Sequence, residues 1–329
     1  MADFLIIRTS SLGDIIHTLP AFAALRRDFP RARIAWVVEE PGKAILDLAS
    51  GLDDVIVVGT PGWRKRMARK DQIVLDFQGL IKSGLAARLS RSRRRIGFHR
   101  KNLKEPLASV FYTERADPFP ETEHVIRKNL SLLRRVGVAG GDRIDFPISI
   151  QDSLSSSVRE KLAAAGYRAG QRLVLVNVGA AWPSKRWFAK SWVEVLSAVK
   201  GDDLFPLLLW GNSEERLLAE DVSRQTGVSM APFLSVQEII ALVKDAALVV
   251  SGDTFALQAA CALGVPVVGI FGPTSPGRNG PFRPRDKAAY HEIACSLCYK
   301  RLCRSVECLE LVTPAEVLSL IRQALKENG

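Results

Sequence analysis

The 329-residue chain has no apolar run long enough to cross a bilayer. Its opening apolar stretch, Phe4-Leu5-Ile6-Ile7, stops at Arg8 with no cleavage site behind it, so the chain reads as cytoplasmic. The Gly-x-Gly-x-x-Gly spacing of dinucleotide binders is missing, and so is the Gly-Lys-Ser/Thr ending of a P-loop. No helix-turn-helix, zinc finger or aromatic-interleaved RNA motif is readable, so no nucleic-acid partner is expected. There is no internal sequence repeat. Cysteine is scarce until the end: four of the five cysteines lie between Cys295 and Cys308.

Acidic residues are in deficit. Thirty-five carboxylates face 46 basic side chains, a formal charge of +11, and such an excess favours anionic partners. One basic cluster runs Arg88, Arg91, Arg93, Arg94, Arg95, Arg100, Lys101 and Lys104; a smaller one covers Arg64, Lys65, Arg66, Arg69 and Lys70. Either is a solvated face or a surface for phosphorylated ligands, an acidic membrane or nucleic acid. A basic nucleic-acid-binding module therefore stands as the competing function class. Cys295-Ser296-Leu297-Cys298 has zinc-knuckle spacing, but the four-residue gaps to Cys303 and on to Cys308 suit no common finger. Reduced thiols or a structural metal are both open there.

The length suits two domains. Short β-branched runs at Phe4–Ile7, Ile34–Val38, Val55–Val58 and Ile73–Phe77 read as strands, with helical spacing at Ile15–Phe29 and Gly79–Leu89 between them. The pattern loosens over Ile148–Gln171 and then restarts with strands at Leu173–Val178, Leu207–Trp210, Leu248–Val250 and Val267–Phe271. Helices are expected at Ser213–Gln225, Val236–Val243 and Leu257–Leu263. Such alternation predicts two α/β doubly wound Rossmann-like domains, 1–155 and 156–329, with the last helix free to pack back on the first. Ligands of such sheets bind beyond the carboxyl ends of the strands, and a cleft between the two domains is expected to hold them.

Four loops carry the chemistry. In Arg8-Thr9-Ser10-Ser11-Leu12-Gly13-Asp14, Gly13 can supply a tight turn, and Asp14 is either a helix-capping acid or a carboxylate offered to a ligand. In Trp182-Pro183-Ser184-Lys185-Arg186-Trp187, Lys185 is a compact cation suited to a diphosphate, and Arg186 can share that role. In Trp210-Gly211-Asn212-Ser213-Glu214-Glu215, Glu214 or Glu215 can accept from ribose hydroxyls, or can simply offset the helix dipole. In Gly252-Asp253-Thr254-Phe255, the turn into a helix offers successive amides to an anion.

At these residues the chain resembles the lipopolysaccharide heptosyltransferases, and among them heptosyltransferase I. The resemblance rests on Thr9–Asp14, His17–Pro20, Trp36–Glu40, Phe77–Ser83, Glu105–Tyr112, Trp210-Gly211, Ser251–Thr254 and Phe271–Pro276, in the family's order along nearly the whole chain. It implies a GT-B fold and inverting transfer of heptose from an ADP-sugar, with no cofactor or catalytic metal, to a lipid-linked anionic acceptor. Heptosyltransferase II is the alternative member. The resemblance makes Asp14 the catalytic base with Lys185 assisting. It assigns Lys185, Arg186, Glu214, Glu215, Asp253, Thr254 and Phe255 to the donor. Ser10, Ser11, Gly13, Arg64, Lys65, Gln78, Arg100, Lys101 and Lys104 fall to the acceptor. Arg91, Arg93, Arg94 and Arg95 are expected to steer the protein to the inner membrane face as a peripheral protein. Relatives carry glycine where Phe255 stands and histidine where Gln258 stands. Because phenylalanine resists a left-handed backbone, the phosphate geometry there is expected to differ, and a binder without catalysis becomes conceivable.

Overall fold

The structure, a computed structural model, describes residues 3–138, 143–199 and 203–327. The chain divides into two compact units, 1–149 and 150–329. Helix Asp152–Ala164 thus lies wholly in the second unit, whereas a boundary at 155 would cut it.

In the first unit, β1 (Asp3–Ile7), β2 (Ile34–Val38), β3 (Asp54–Val57), β4 (Gln72–Asp76), β5 (Arg94–Gly97) and β6 (Glu114–Arg115) form one parallel sheet in the order β3-β2-β1-β4-β5-β6. β2 is buried along its whole length and β1 apart from its first residue, which is why both read as unbroken apolar runs rather than as alternation. Ile7 pairs in register with Val37 and with Asp76, so the carboxyl ends of β1, β2 and β4 are level. Their three following loops therefore leave the sheet side by side. The strand order reverses between β1 and β4, the place where such sheets hold ligands.

The second unit repeats the plan. β7 (Arg172–Asn177), β8 (Leu204–Leu209), β9 (Ser229–Met230), β10 (Leu248–Gly252), β11 (Val267–Ile270) and β12 (Lys287–Ala289) form a parallel sheet ordered β12-β11-β10-β7-β8-β9. Here the order reverses between β7 and β10. Its core joins Val174, Val176, Leu208, Val250 and Val268 of the sheet to Trp187 and Trp192, whose rings meet edge to face. Burying each such side chain contributes about 2 kcal/mol. The last helix, Pro314–Glu327, packs on β10, β11, β12 and helix Ala189–Ala198 of its own unit.

Several elements depart from the sequence reading. The first helix starts at Leu12, not Ile15, so Gly13 is helical and supplies no turn dihedral. The short strands β5, β6, β9 and β12 carry no apolar run that would reveal them. Part of the arginine cluster is β5 itself. Arg94 pairs with Glu114 on β6 at 2.7 Å, and Arg95 donates to the carbonyls of Phe111 and Ser92. The Arg94 charge is thus met by a carboxylate at the exposed sheet edge, and the Arg95 guanidinium is fixed by backbone carbonyls.

Candidate active site

Each reversal point carries a polar cluster. In the first unit it is built by two loops, those after β1 and β4. Asp14, in the first turn of helix Leu12–Asp28, is held by Arg8 (2.5 Å to Oδ1) and by the hydroxyl and amide of Ser11 (2.8 and 3.1 Å to Oδ2). Arg8 is itself buried and donates to the Phe77 carbonyl, while Trp36 Nε1 caps the Arg8 carbonyl at 3.1 Å. Burial by itself raises the Asp14 pKa. Arg8, His17 and the Ser11 hydrogen bonds pull the other way and prevail, so the carboxyl sits below its ordinary value. One third of the side chain remains exposed, so the ionised group is held in place yet reachable.

Gln78 ties the second loop to the first: its Oε1 accepts from the amides of Thr9 and Ser10 at 3.0 and 3.4 Å. Gln78 is in turn set by Asp76, a fully buried carboxyl at the end of β4. Asp76 accepts from the Ser83 and Tyr112 hydroxyls, both at 2.8 Å, and from the amides of Gln78 and Gly79. Burial raises its pKa even against these four donors, and burial together with the Asp76 charge pushes the Tyr112 hydroxyl up as well. The sequence places Asp76 and Gln78 at the carboxyl end of a strand, but not the four donors that Asp76 gathers.

The expected acceptor residues divide into two sets. Ser10, Ser11 and Gln78 join the Asp14 cluster. Arg64 and Lys65 lie on the short helix Trp63–Met67, and Arg100 and Lys101 on a single turn of 3₁₀ helix; these four and Lys104 are exposed, with no ion-pair partner among the described residues. The Arg100–Lys104 segment nevertheless packs on the Gln78 turn. Gly79 has φ +70° there, and a Cβ on it would meet Leu103 Cδ2 at 2.8 Å.

In the second unit, Lys185 Nζ lies 2.7 Å from Asp253 and 4.3 Å from the centre of the Trp182 ring. Asp253 also accepts from Gln258 Nε2 at 3.3 Å, and the same nitrogen donates to the Asn279 carbonyl. Gln258 thus holds the carboxylate that holds the lysine. Thr254 stands at the N-terminal boundary of helix Phe255–Leu263 without a side-chain capping bond, and its hydroxyl is fixed by Ser251 (2.7 Å) and by Asn177 of β7 (3.0 Å). Phe255 is the first residue of a right-handed helix and has no left-handed backbone. Phenylalanine thus keeps the right-handed backbone expected of it, and its amide stays in the first turn of the helix.

Arg186 pairs with Glu214 at 2.9 Å, and Glu214 is mostly exposed. Glu215 is the more deeply set of the two acids. Its carboxylate accepts from the Gly211 amide at 2.7 Å, and Asn212 caps its helix. Sequence reading missed a brace on the Lys185 loop. The Ser184 hydroxyl and amide donate to the carbonyls of Lys300 and Arg301, and the Arg301 guanidinium lies 5.6 Å from the Trp182 ring. Only the tertiary fold brings residues so far apart in the chain together.

The cysteines are free thiols. Cys308 turns into the core beside Leu309, and Cys295 and Cys303 are exposed. Among the described residues, no three Cys, His, Asp or Glu side chains are grouped to hold a metal ion.

Two parallel six-stranded sheets, each with a polar cluster at its reversal point, define an α/β protein of the GT-B fold. The model of glycosyltransferase family 9 (heptosyltransferase) matches residues 63–308. The chain is 30% identical to lipopolysaccharide heptosyltransferase 1 of Pseudomonas aeruginosa, covering 91% of this chain and 86% of that one. Its fold matches the solved E. coli heptosyltransferase WaaC with ADP at TM-score 0.75 and 23% identity, covering 99% of both chains. It matches a family 9 glycosyl transferase from Veillonella parvula at TM-score 0.81 and 20% identity, over 99% of this chain and 97% of that one. The chain belongs to glycosyltransferase family 9, the heptosyltransferases, and is a glycosyltransferase.

Proposed function

We propose that this enzyme moves heptose from ADP-heptose to the Kdo-lipid A end of the lipopolysaccharide inner core, with inversion and without a catalytic metal. The first unit takes the acceptor and the second the donor. The acceptor hydroxyl attacks the anomeric carbon, the bond to the diphosphate breaks, ADP leaves and the hydroxyl proton passes to Asp14. Asp14 suits the part because its carboxylate is ionised at neutral pH, oriented by Arg8 and Ser11, and one third exposed. Lys185 and the first-turn amides at Phe255 counter the charge growing on the departing diphosphate. Glu215, walled by Gly179 and Gly211, accepts from the ribose. Arg64, Lys65, Arg100, Lys101 and Lys104 meet the phosphates and acidic sugars of the acceptor.

The observation that carries this reading is the Lys185–Asp253–Thr254 cluster at the reversal point of the second sheet, in a chain of this family. Relatives named lipopolysaccharide heptosyltransferase 1, and a solved relative holding ADP-2-deoxy-2-fluoro heptose, support the donor class. Among the described residues no helix is long and apolar enough to cross a membrane, so work on a lipid-linked acceptor calls for peripheral attachment to the inner membrane. The test is ADP release and product mass with ADP-heptose and a truncated lipopolysaccharide acceptor. Turnover by another nucleotide-sugar in its place would reassign the donor, and no turnover with any would end the proposal.

A further inference from the structure

Ten large apolar side chains are exposed among the described residues, and five of them belong to two neighbouring elements. On helix Ile81–Leu89, Ser83, Ala86 and Ala87 face inward. Ile81, Leu85 and Leu89 recur every four residues as an outward stripe, 41%, 47% and 42% exposed, with Lys82 and Arg88 beside it. The 3₁₀ segment Pro106–Phe111 packs on this helix at Gly84, where a Cβ would meet Phe111 Cδ2 at 2.7 Å. Residues three apart eclipse in a 3₁₀ helix, so Leu107 and Val110 project from one edge, and they are 65% and 67% exposed.

The border is cationic. Arg88 lies in the last turn of the helix and Arg91 and Arg93 follow it, Arg100, Lys101 and Lys104 precede the 3₁₀ segment, and the turn Arg100–Asn102 packs against that segment. All six are exposed and none has an ion-pair partner among the described residues. The nearby carboxylates are already engaged: Glu105 by the Ile81 amide, Glu114 by Arg94 and Glu39 by Lys82.

We infer that Ile81, Leu85, Leu89, Leu107 and Val110 form a surface that inserts into an anionic lipid bilayer, with the surrounding cations on the headgroups. Projecting aliphatic side chains bordered by unpaired cations match the chemistry of such an interface, and each cation near it strengthens binding roughly fivefold. The placement rests on the reading of a lipid-linked acceptor. Leu103 packs on the Gln78 turn, so this surface adjoins the loops around Asp14 and would present them to a substrate anchored in the same leaflet.

The test is flotation of the full-length protein with vesicles of pure phosphatidylcholine or with about 30% phosphatidylglycerol. The protein is expected to float only with the anionic vesicles. Leu107→Asp/Val110→Asp should cut that binding at least about tenfold, with an unchanged melting temperature and unchanged ADP affinity. Flotation of the double variant equal to that of the parent would overturn the inference, leaving charge alone. So would a parent that ignores anionic vesicles, or one that sediments as a dimer which the variant lacks. Transfer to a deacylated, soluble acceptor checks the catalytic reading without any membrane, so failure of one reading is distinguishable from failure of the other.

Discussion

Glu215 occupies the space that a side chain on Gly179 would need: a Cβ there would lie 2.4 Å from its carboxyl carbon. The glycine after β7 thus admits the acid delivered by the helix after β8, and the Gly211 amide fixes it. Gly179→Ala should expel the carboxylate and weaken ADP binding about tenfold, at a stability cost of about 1–2 kcal/mol. Calorimetric titration with ADP beside a thermal melt checks both; unaltered affinity would remove Glu215 from the donor site.

Asp14→Asn keeps the shape of the side chain but cannot take a proton. The rate should fall by about 10²–10⁴, with donor affinity changed no more than a few-fold. Retained turnover would take Asp14 out of the base role.

The same residue predicts a pH effect on stability. Its folded pKa lies below the ordinary 3.8, so the Arg8 and Ser11 interactions contribute fully above the unfolded value. That contribution is lost as pH falls through the lower folded value. In urea titrations, Asp14→Asn should be less stable than the parent at neutral pH, and the gap should close in strong acid. A gap that stayed constant with pH would contradict the assignment.

Lys185→Ala should lower kcat/KM about a hundredfold, through loss of the cation proposed to face the diphosphate. Ser184→Ala removes only the tie to Lys300, so a rise in donor KM of about fivefold is expected, corresponding to about 1 kcal/mol. Equal losses in the two variants, measured by initial rates over a range of donor concentrations, would mean that Lys185 merely supports the loop.

Asp76→Ala strands the buried Tyr112 hydroxyl and Gly79 amide and should destabilise the first unit by about 3 kcal/mol. Because the raised Asp76 pKa penalises its ionised form, the parent carries a stability component that is greatest below the ordinary carboxyl value and declines as pH rises through the folded one. Denaturation from pH 3 to 7 should show that decline in the parent and not in the variant.

Much of this was legible in the residues. Phe4–Ile7, Ile34–Val38 and Leu248–Val250 announce strands because a parallel strand covered on both faces must be apolar throughout. The acid of the Ser11–Asp14 loop and the lysine after Trp182 stood out because both follow strands in an alternating pattern. The surroundings of Arg94 were not legible, since a count of charge cannot distinguish a free guanidinium from one paired across an edge strand to Glu114. Phe255 was legible in one respect, since a residue that resists a left-handed backbone stands in ordinary helix.

The amino-acid order alone determined the two α/β units, the loops that carry polar groups and the family, because periodicity and turn residues are local properties. Only the tertiary structure decided that Gln258 steadies Asp253, that Asp76 sets Gln78, and that Arg301 and Lys300 brace the Lys185 loop. Those ties join residues brought level by strand register and helix packing, and no spacing along the chain encodes such distances.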